Sequence, residues 1–203
     1  MRGGSGFGDI RVEIPPEKLQ ELQRLLADIP NGVNKAIAKA TNKAVERARV
    51  EAMLRIRDRY AISPSALSLR LKINRASVRN PTAMIVWSSP EIAITKFKTK
   101  PTKPAIQSGI PVALRQAPET EIVKGQKKSW PHAFLAVMKS SHKGLFAREN
   151  KTSLPMKQFF GPSVASMIGQ RGVIKAITDA TNAVIVEELE KQVTRMLSVR
   201  RRT

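Results

Sequence analysis

The sequence predicts an α+β fold, with long N-terminal helices and a C-terminal helix packed on a small, mainly antiparallel sheet. Three observations predict it. Apolar or small residues recur every three or four positions over residues 33–60, the period of an α-helix. A second run of that period closes the chain over about residues 173–199. Between them the period drops to two, in short runs separated by proline and glycine, the pattern of strands and turns. Helices that flank a block of strands, rather than alternating with it, indicate α+β. A chain of 203 residues is one domain, or one domain with an extension. Residues 1–30 are expected to form an extension with a short helix and residues 31–203 a single domain.

The elements follow in order. RGGSGFG reads as a flexible lead. Pro15 and Pro16 open a helix, because a missing N–H costs little in the first turn. Leu19, Leu22, Leu25, Leu26 and Ile29 carry it to Pro30, and Asn31-Gly32 marks a turn. In the next helix Val33, Ala36, Ile37, Ala40, Ala44, Val45, Ala48, Ala52 and Ile56 form a stripe over roughly seven turns. Most of it is alanine, so a second backbone can approach closely. Lys35, Lys39, Lys43, Arg47, Glu51 and Arg55 occupy the other face. A solvated face explains them better than a nucleic-acid helix does. Ser63-Pro64 supplies an N-cap and a first-turn proline for a short helix through Leu71. Strands are expected at 82–88, 92–97, 111–116, 119–124, 132–138, 144–148 and 156–160. Residues 98–109, with two prolines and three lysines, read as an exposed, mobile loop. Ser163 caps a short helix after Gly161-Pro162, and the final helix follows.

Composition narrows the function. Thirty-six Lys and Arg against sixteen Asp and Glu give +20, which favours an acidic partner or an assembly over a lone monomer. Residues 1–60 carry +4, residues 61–150 carry +11 and residues 151–203 carry +5. The candidate basic contact surface is therefore Lys96, Lys98, Lys100 and Lys103, with Lys124, Lys127 and Lys128, and at the end Arg200, Arg201 and Arg202. There is no cysteine, which excludes disulfides, thiol catalysis and Cys-ligated metals. The longest apolar run is six residues, 133–138, far short of a membrane span. The opening residues have no apolar h-region, so no secretory signal is expected.

Catalysis finds few candidates. His132 opens an apolar strand and reads as a packed strand-end residue, whereas His142 lies in the polar turn SSHKG. No HxxxH or HExxH spacing occurs and there is no phosphate loop. Glu119 and Glu121 are the pair that Mg²⁺ or phosphodiester cleavage would need, but an exposed strand face balancing nearby lysines explains them better. Glu187, Glu188 and Glu190 read as a solvated helix face. No catalytic, cofactor or metal residue is therefore assigned. Clustered lysines would neutralise phosphates without reading sequence. Aromatic platforms for single strands are scarce, with only Phe97 inside a lysine cluster.

Residues 141–168, SHKGLFARENKTSLPMKQFFGPSVASMI, resemble the signature stretch of the prophage minor tail protein Z family, the tail completion proteins of long-tailed phages. The matching positions are His142, Gly144, Phe146, Arg148, Leu154, Pro155, Phe160, Gly161, Pro162, Ser163 and Val164. Upstream, VNKAIAKATNKAVERARVEAM, LKINRASVRNPTAMIVWS with its Arg79-Asn80-Pro81 step, and Pro-His-Ala-Phe at 131–134 match as well. The resemblance covers about residues 31–170, and the last helix agrees in character only.

Each motif position also has a plain role. Gly144 and Gly161 suit turns; Phe146 and Phe160 are expected to face one core across a hairpin tipped by residues 150–152. Leu154-Pro155 starts the return strand, where proline is tolerated, and Pro162 helps end it.

The resemblance implies a virion structural protein without a cofactor, at the head-proximal end of the tail, made in the host cytoplasm. It implies a homo-oligomeric ring, hexameric by tail symmetry. It also implies contacts with the tail terminator, tail tube or connector, passing contact with genomic DNA, and no membrane. The alternative is a sequence-independent DNA-binding protein that contacts the phosphate backbone.

Overall fold

The computed structural model describes residues 7–11, 14, 16–88, 90–104, 117–138, 140–149, 155–170 and 172–200. The two long periodic runs become its main helices, α2 (Gly32–Arg59) and α5 (Val173–Arg200). They pack along each other more extensively than any other pair of elements. Arg59, at the end of α2, reaches Gln170 just before α5 at 3.1 Å, so the two run in opposite directions. Ala36, Ala40, Ala44 and Ala48 are fully buried. With no side chain beyond Cβ, they let neighbouring backbone come close.

Around this pair stand α1 (Pro16–Leu25), α3 (Pro64–Ser68) and α4 (Val164–Ile168). The core takes Leu22 and Leu26 from the α1 region, Leu67 from α3, and Val164, Met167 and Ile168 from α4. Ser63 accepts the Ala66 N–H and Pro64 fills the first turn of α3. Ser163 accepts the Ser166 N–H at 3.1 Å at the start of α4. Replacing Ser163 with alanine should cost about 1 kcal/mol through loss of this cap. The urea midpoint should fall at unchanged m, and an unmoved midpoint would show that the cap carries no weight.

The strands form four small antiparallel sheets among the described residues, where one sheet was expected. β1 (Phe7–Arg11), β3 (Met84–Ser88) and β2 (Leu71–Asn74) pair in the order β1-β3-β2. β5 (Lys98–Lys100), β6 (Glu119–Glu121) and β7 (Lys127–Ser129) form a second sheet in sequence order. β8 (Ala133–Val137), β9 (Lys143–Arg148) and β10 (Met156–Gln158) form a third. β4 (Ile92–Ala93) and β11 (Phe160–Gly161) make a two-stranded fourth.

Several sequence expectations change. The end of the glycine-rich lead is strand β1, paired along the whole of β3. The third helix stops at Ser68, and Leu71 begins β2 instead, with its side chain fully buried. The expected strand at 92–97 breaks after Ala93 into a 3-10 turn over Ile94–Lys96. That turn lets Ile94 and Phe97 both point inward, which alternation alone would forbid. Residues 98–100 of the expected loop are β5; the rest of that loop beyond 104, the strand at 111–116 and the hairpin tip at 150–152 lie outside the described residues.

Glu51, assigned to the solvated face of α2, is buried. Arg47 and Arg55, one turn to either side, pair with its carboxylate at 3.8 and 2.8 Å, which makes that burial tolerable. Asn42 also turns inward. Its amide donates to the Ala76 carbonyl at 3.0 Å and accepts the Ala76 N–H at 2.8 Å. It thereby satisfies a loop backbone as a neighbouring strand would.

Candidate basic contact surface

The two lysine clusters of the middle third are 27 positions apart at their nearest strand residues, Lys100 and Lys127, yet one sheet brings them together. β5 and β7 flank β6, so Lys98 and Lys127 stand on either side of Glu121 in one row. Lys100 and Ser129 flank Glu119 in the next. All of these side chains share one face, since the period of a strand is two. Thr99, Thr120 and Lys128 occupy the opposite face, and Thr120 is fully buried. Lys96, Lys103 and Lys124 are exposed around the sheet. Arg200 ends α5, with its side chain outside the described residues, as are Arg201 and Arg202.

The sheet is anchored where α2 ends. Ala61 donates to the Ile122 carbonyl at 2.9 Å and accepts from the Lys98 N–H at 2.8 Å. Isolated bridges Tyr60–Val123 and Ile62–Phe97 complete the join. The lysines therefore sit on a backbone fixed to the main helix.

The surface is a mixed ladder rather than a uniform cationic field. Lys98 pairs with Glu121 at 2.8 Å, and the Gly125 N–H donates to the same carboxylate at 2.9 Å. The Lys98 hydrogen bond, then that backbone N–H, hold the Glu121 carboxyl below its ordinary value. A depressed carboxyl contributes stability above its unfolded-state value and loses it as pH falls through the folded one. Glu121 is half-buried but Lys98 is exposed, so screening keeps the effect small. Thermal denaturation across the acid range should show stability falling in that window, and Glu121→Gln should flatten part of the fall. An identical acid limb in the variant would contradict this account.

Trp130 was not expected to matter. Its indole N–H donates to Thr120 Oγ1 at 2.8 Å, its ring lies 4.5 Å from that of Phe159, and Lys128 Nζ sits 4.2 Å above it. Phe97, the aromatic expected among the lysines, is buried and offers no stacking platform.

The motif residues lie in and around two of the other three small sheets, those of β9 and β11. Phe146 is buried and lies 6.4 Å from Phe134 across β8 and β9. Phe160 is 45% exposed, so it does not face that core as expected; half-buried Phe159 is turned inward toward Trp130 instead. His142 contacts the Gln158 side chain at about 3 Å and is exposed. His132 is exposed too, contrary to the packed role expected, because β8 begins one residue later. Gly144 and Gly161 lie in strands, not turns. A Cβ on Gly144 would stand 2.7 Å from the Phe146 ring, and one on Gly161 would stand 2.7 Å from the Phe97 ring. Arg148 stands 5.8 Å from the Phe134 ring. Pro155 precedes β10 and is exposed, Pro162 follows β11, and Leu154 lies outside the described residues.

Among the described residues, no group of three or more His, Cys, Asp or Glu side chains could hold a metal ion. Glu119 and Glu121 face lysines rather than a third acid. No described helix is long and apolar enough to cross a membrane.

A family model described as prophage minor tail protein Z (GPZ) matches residues 17–202. That span takes in α1 and α5, beyond the 31–170 expected from motifs. No curated protein and no solved structure matches the chain.

Proposed function

The chain belongs to the prophage minor tail protein Z family and is a structural protein of the phage tail, and from that premise we propose that it completes the tail at its head-proximal end. There it would form a ring against the tail terminator, tail tube or connector, and would make the tail competent to join the head or deliver DNA. The family match along nearly the whole chain carries this reading. The lysine-rich sheet supports it, because an exposed basic face held rigidly to α2 suits contact with acidic neighbours in an assembly.

Labelling the chain in purified virions and locating the label by negative-stain microscopy tests the placement. Label at the neck is expected; label only at the tail tip would overturn it. Particles assembled without the chain should show tails that fail to join heads, or joined particles that fail to deliver DNA.

A second reading, sequence-independent binding to DNA phosphates, is favoured by the side-by-side placement of Lys98, Lys100 and Lys127. It requires a steep fall of affinity with salt. Glu119 and Glu121 on the same face reduce the attraction and count against it.

A further inference from the structure

Two surfaces of the main helices have no role in the reading so far. On α2, Lys39, Lys43, Arg47, Val50, Leu54 and Arg57 recur at intervals of three or four, and all are exposed. They form one stripe, about 27 Å long at the helical rise. Among the described residues, Lys39, Lys43 and Arg57 pair with no carboxylate. At its centre Val50 and Leu54 stand one turn apart, 47% and 46% exposed. A phosphate backbone would not cover an adjacent valine and leucine; an apolar centre with a charged border is the pattern of a protein interface.

The second surface is an open groove of about 150 Å³ between α1 and α5. Leu22 and Leu189 are buried at its base, while Leu25 and Val193 line it. Glu21 and Glu190 stand at its edge, with Lys18 pairing Glu21. Glu187 lies one turn before Lys191, with which it pairs. Residues 176–190 carry four acids and no lysine or arginine, on a chain whose net charge is +20. The groove is therefore apolar at its base with three glutamates against two lysines beside it, where the α2 stripe is apolar at its centre and basic around it.

We propose that the α2 stripe of one copy docks in the α1–α5 groove of a second copy. Val50 and Leu54 enter the groove, and Lys43, Arg47 and Arg57 face Glu21, Glu187 and Glu190. This is recognition of a helix by a groove. Stripe and groove share no residue, so each copy keeps one free half of the interface, and the association is head-to-tail. Repeated, it closes a ring or extends a filament. The inference rests on the reading of the chain as a ring subunit and names the surfaces that join the copies.

The test uses the full chain in sedimentation velocity at low salt, with two exposed-site variants, Leu54→Glu and the double variant Glu187→Lys/Glu190→Lys. The wild type should associate. Each variant alone should weaken association at least about tenfold, the first by putting a charge at the centre of the interface and the second by setting like charges against the basic stripe at its border. Mixed, they should form a 1:1 dimer and nothing larger, because the first retains only its groove and the second only its stripe. Wild-type association with both variants unaffected would overturn the interface and leave the ring reading standing, as would variants that each dissociate and fail to pair when mixed. A wild type that stays monomeric at about 100 µM, a weak-association limit, would overturn both and leave the groove to a different tail protein. Binding of the monomer to duplex DNA, lost in Lys39→Glu/Lys43→Glu, would assign the stripe to phosphates instead.

Discussion

Replacing Ala48 with leucine should lower stability by about 2–3 kcal/mol, the upper part of the range for adding methylenes to a filled core. Ala48 is fully buried in α2 and belongs to the same core cluster as Ala40, Ala44, Ile185 and Leu189. Its side chain is fully shielded from solvent in a core shared by the two long helices. A leucine must move α5 or a neighbouring strand outward, or adopt a poor rotamer. For a chain of this size that cost corresponds to a fall in melting temperature of about 4–12 °C. Ala183→Leu, on the exposed face of α5, is the control and should stay within about 0.5 kcal/mol. Calorimetry or urea titration of the two variants decides the matter. Equal stabilities would mean that the alanine stripe does not set the approach of the helices.

The same contrast explains what could be read from the sequence. The stripe from Ala36 to Ile56 was legible because seven turns of one period leave little alternative, and nearly every position assigned inward is buried. Glu51 was not legible, since its burial depends on Arg47 and Arg55 folding over it from adjacent turns. Strands β3, β6, β8, β9 and β10 were legible as short runs, though not as sheets, whereas β1, β2, β5 and β7 were not legible as strands. The strands are two to six residues long, too short for alternation to fix partners, and their pairing depends on distant segments. β1 gave little signal, with Phe7 and Ile10 its two apolar residues beside glycine and charge, and its pairing depends on the distant β3. His132 and Phe160 were misplaced for a related reason. His132 falls just before β8, and the run 156–160 breaks after Gln158, so Phe160 belongs to β11 instead of continuing the alternation of β10.

One pairing was written in the sequence but needs both halves to be recognised. Lys98-Thr99-Lys100 and Glu119-Thr120-Glu121 are complementary in antiparallel register. Opposite charges meet on one face and the threonines meet on the other, a favourable set of cross-strand pairs. Nothing in either tripeptide identifies its partner across the intervening residues. In the sequence the lysine clusters are therefore separate runs whose shared face is not visible. Once β6 is placed between them, they become one surface whose net charge is lowered by its own glutamates, and this favours an assembly contact over a track for DNA.

Gly161→Ala should be a damaging single-methyl change in the family motif, costing about 2–3 kcal/mol through overpacking. Conformational freedom is not the cause: among the described glycines, positive φ is found at Gly125 and Gly172. The cause is space. A Cβ on Gly161 stands 2.7 Å from Cε2 of Phe97, and Phe97 is only 4% exposed. Its backbone is held too, by the N–H bond to Ile94 at 2.9 Å and by the bridge to Ile62. The ring has no easy retreat. Phe97→Leu in the Gly161→Ala background should therefore recover part of the loss, and a double-mutant cycle should be strongly non-additive; additive costs would place the strain elsewhere. The consequence extends to the candidate surface, because Lys98 follows Phe97 directly in the chain. If Phe97 moves, the Lys98–Glu121 pair at 2.8 Å loses register, and the carboxyl of Glu121 should return toward its ordinary value. NMR titration of Glu121 in Gly161→Ala would read that shift, and an unchanged titration in a destabilised protein would separate the packing defect from the lysine sheet.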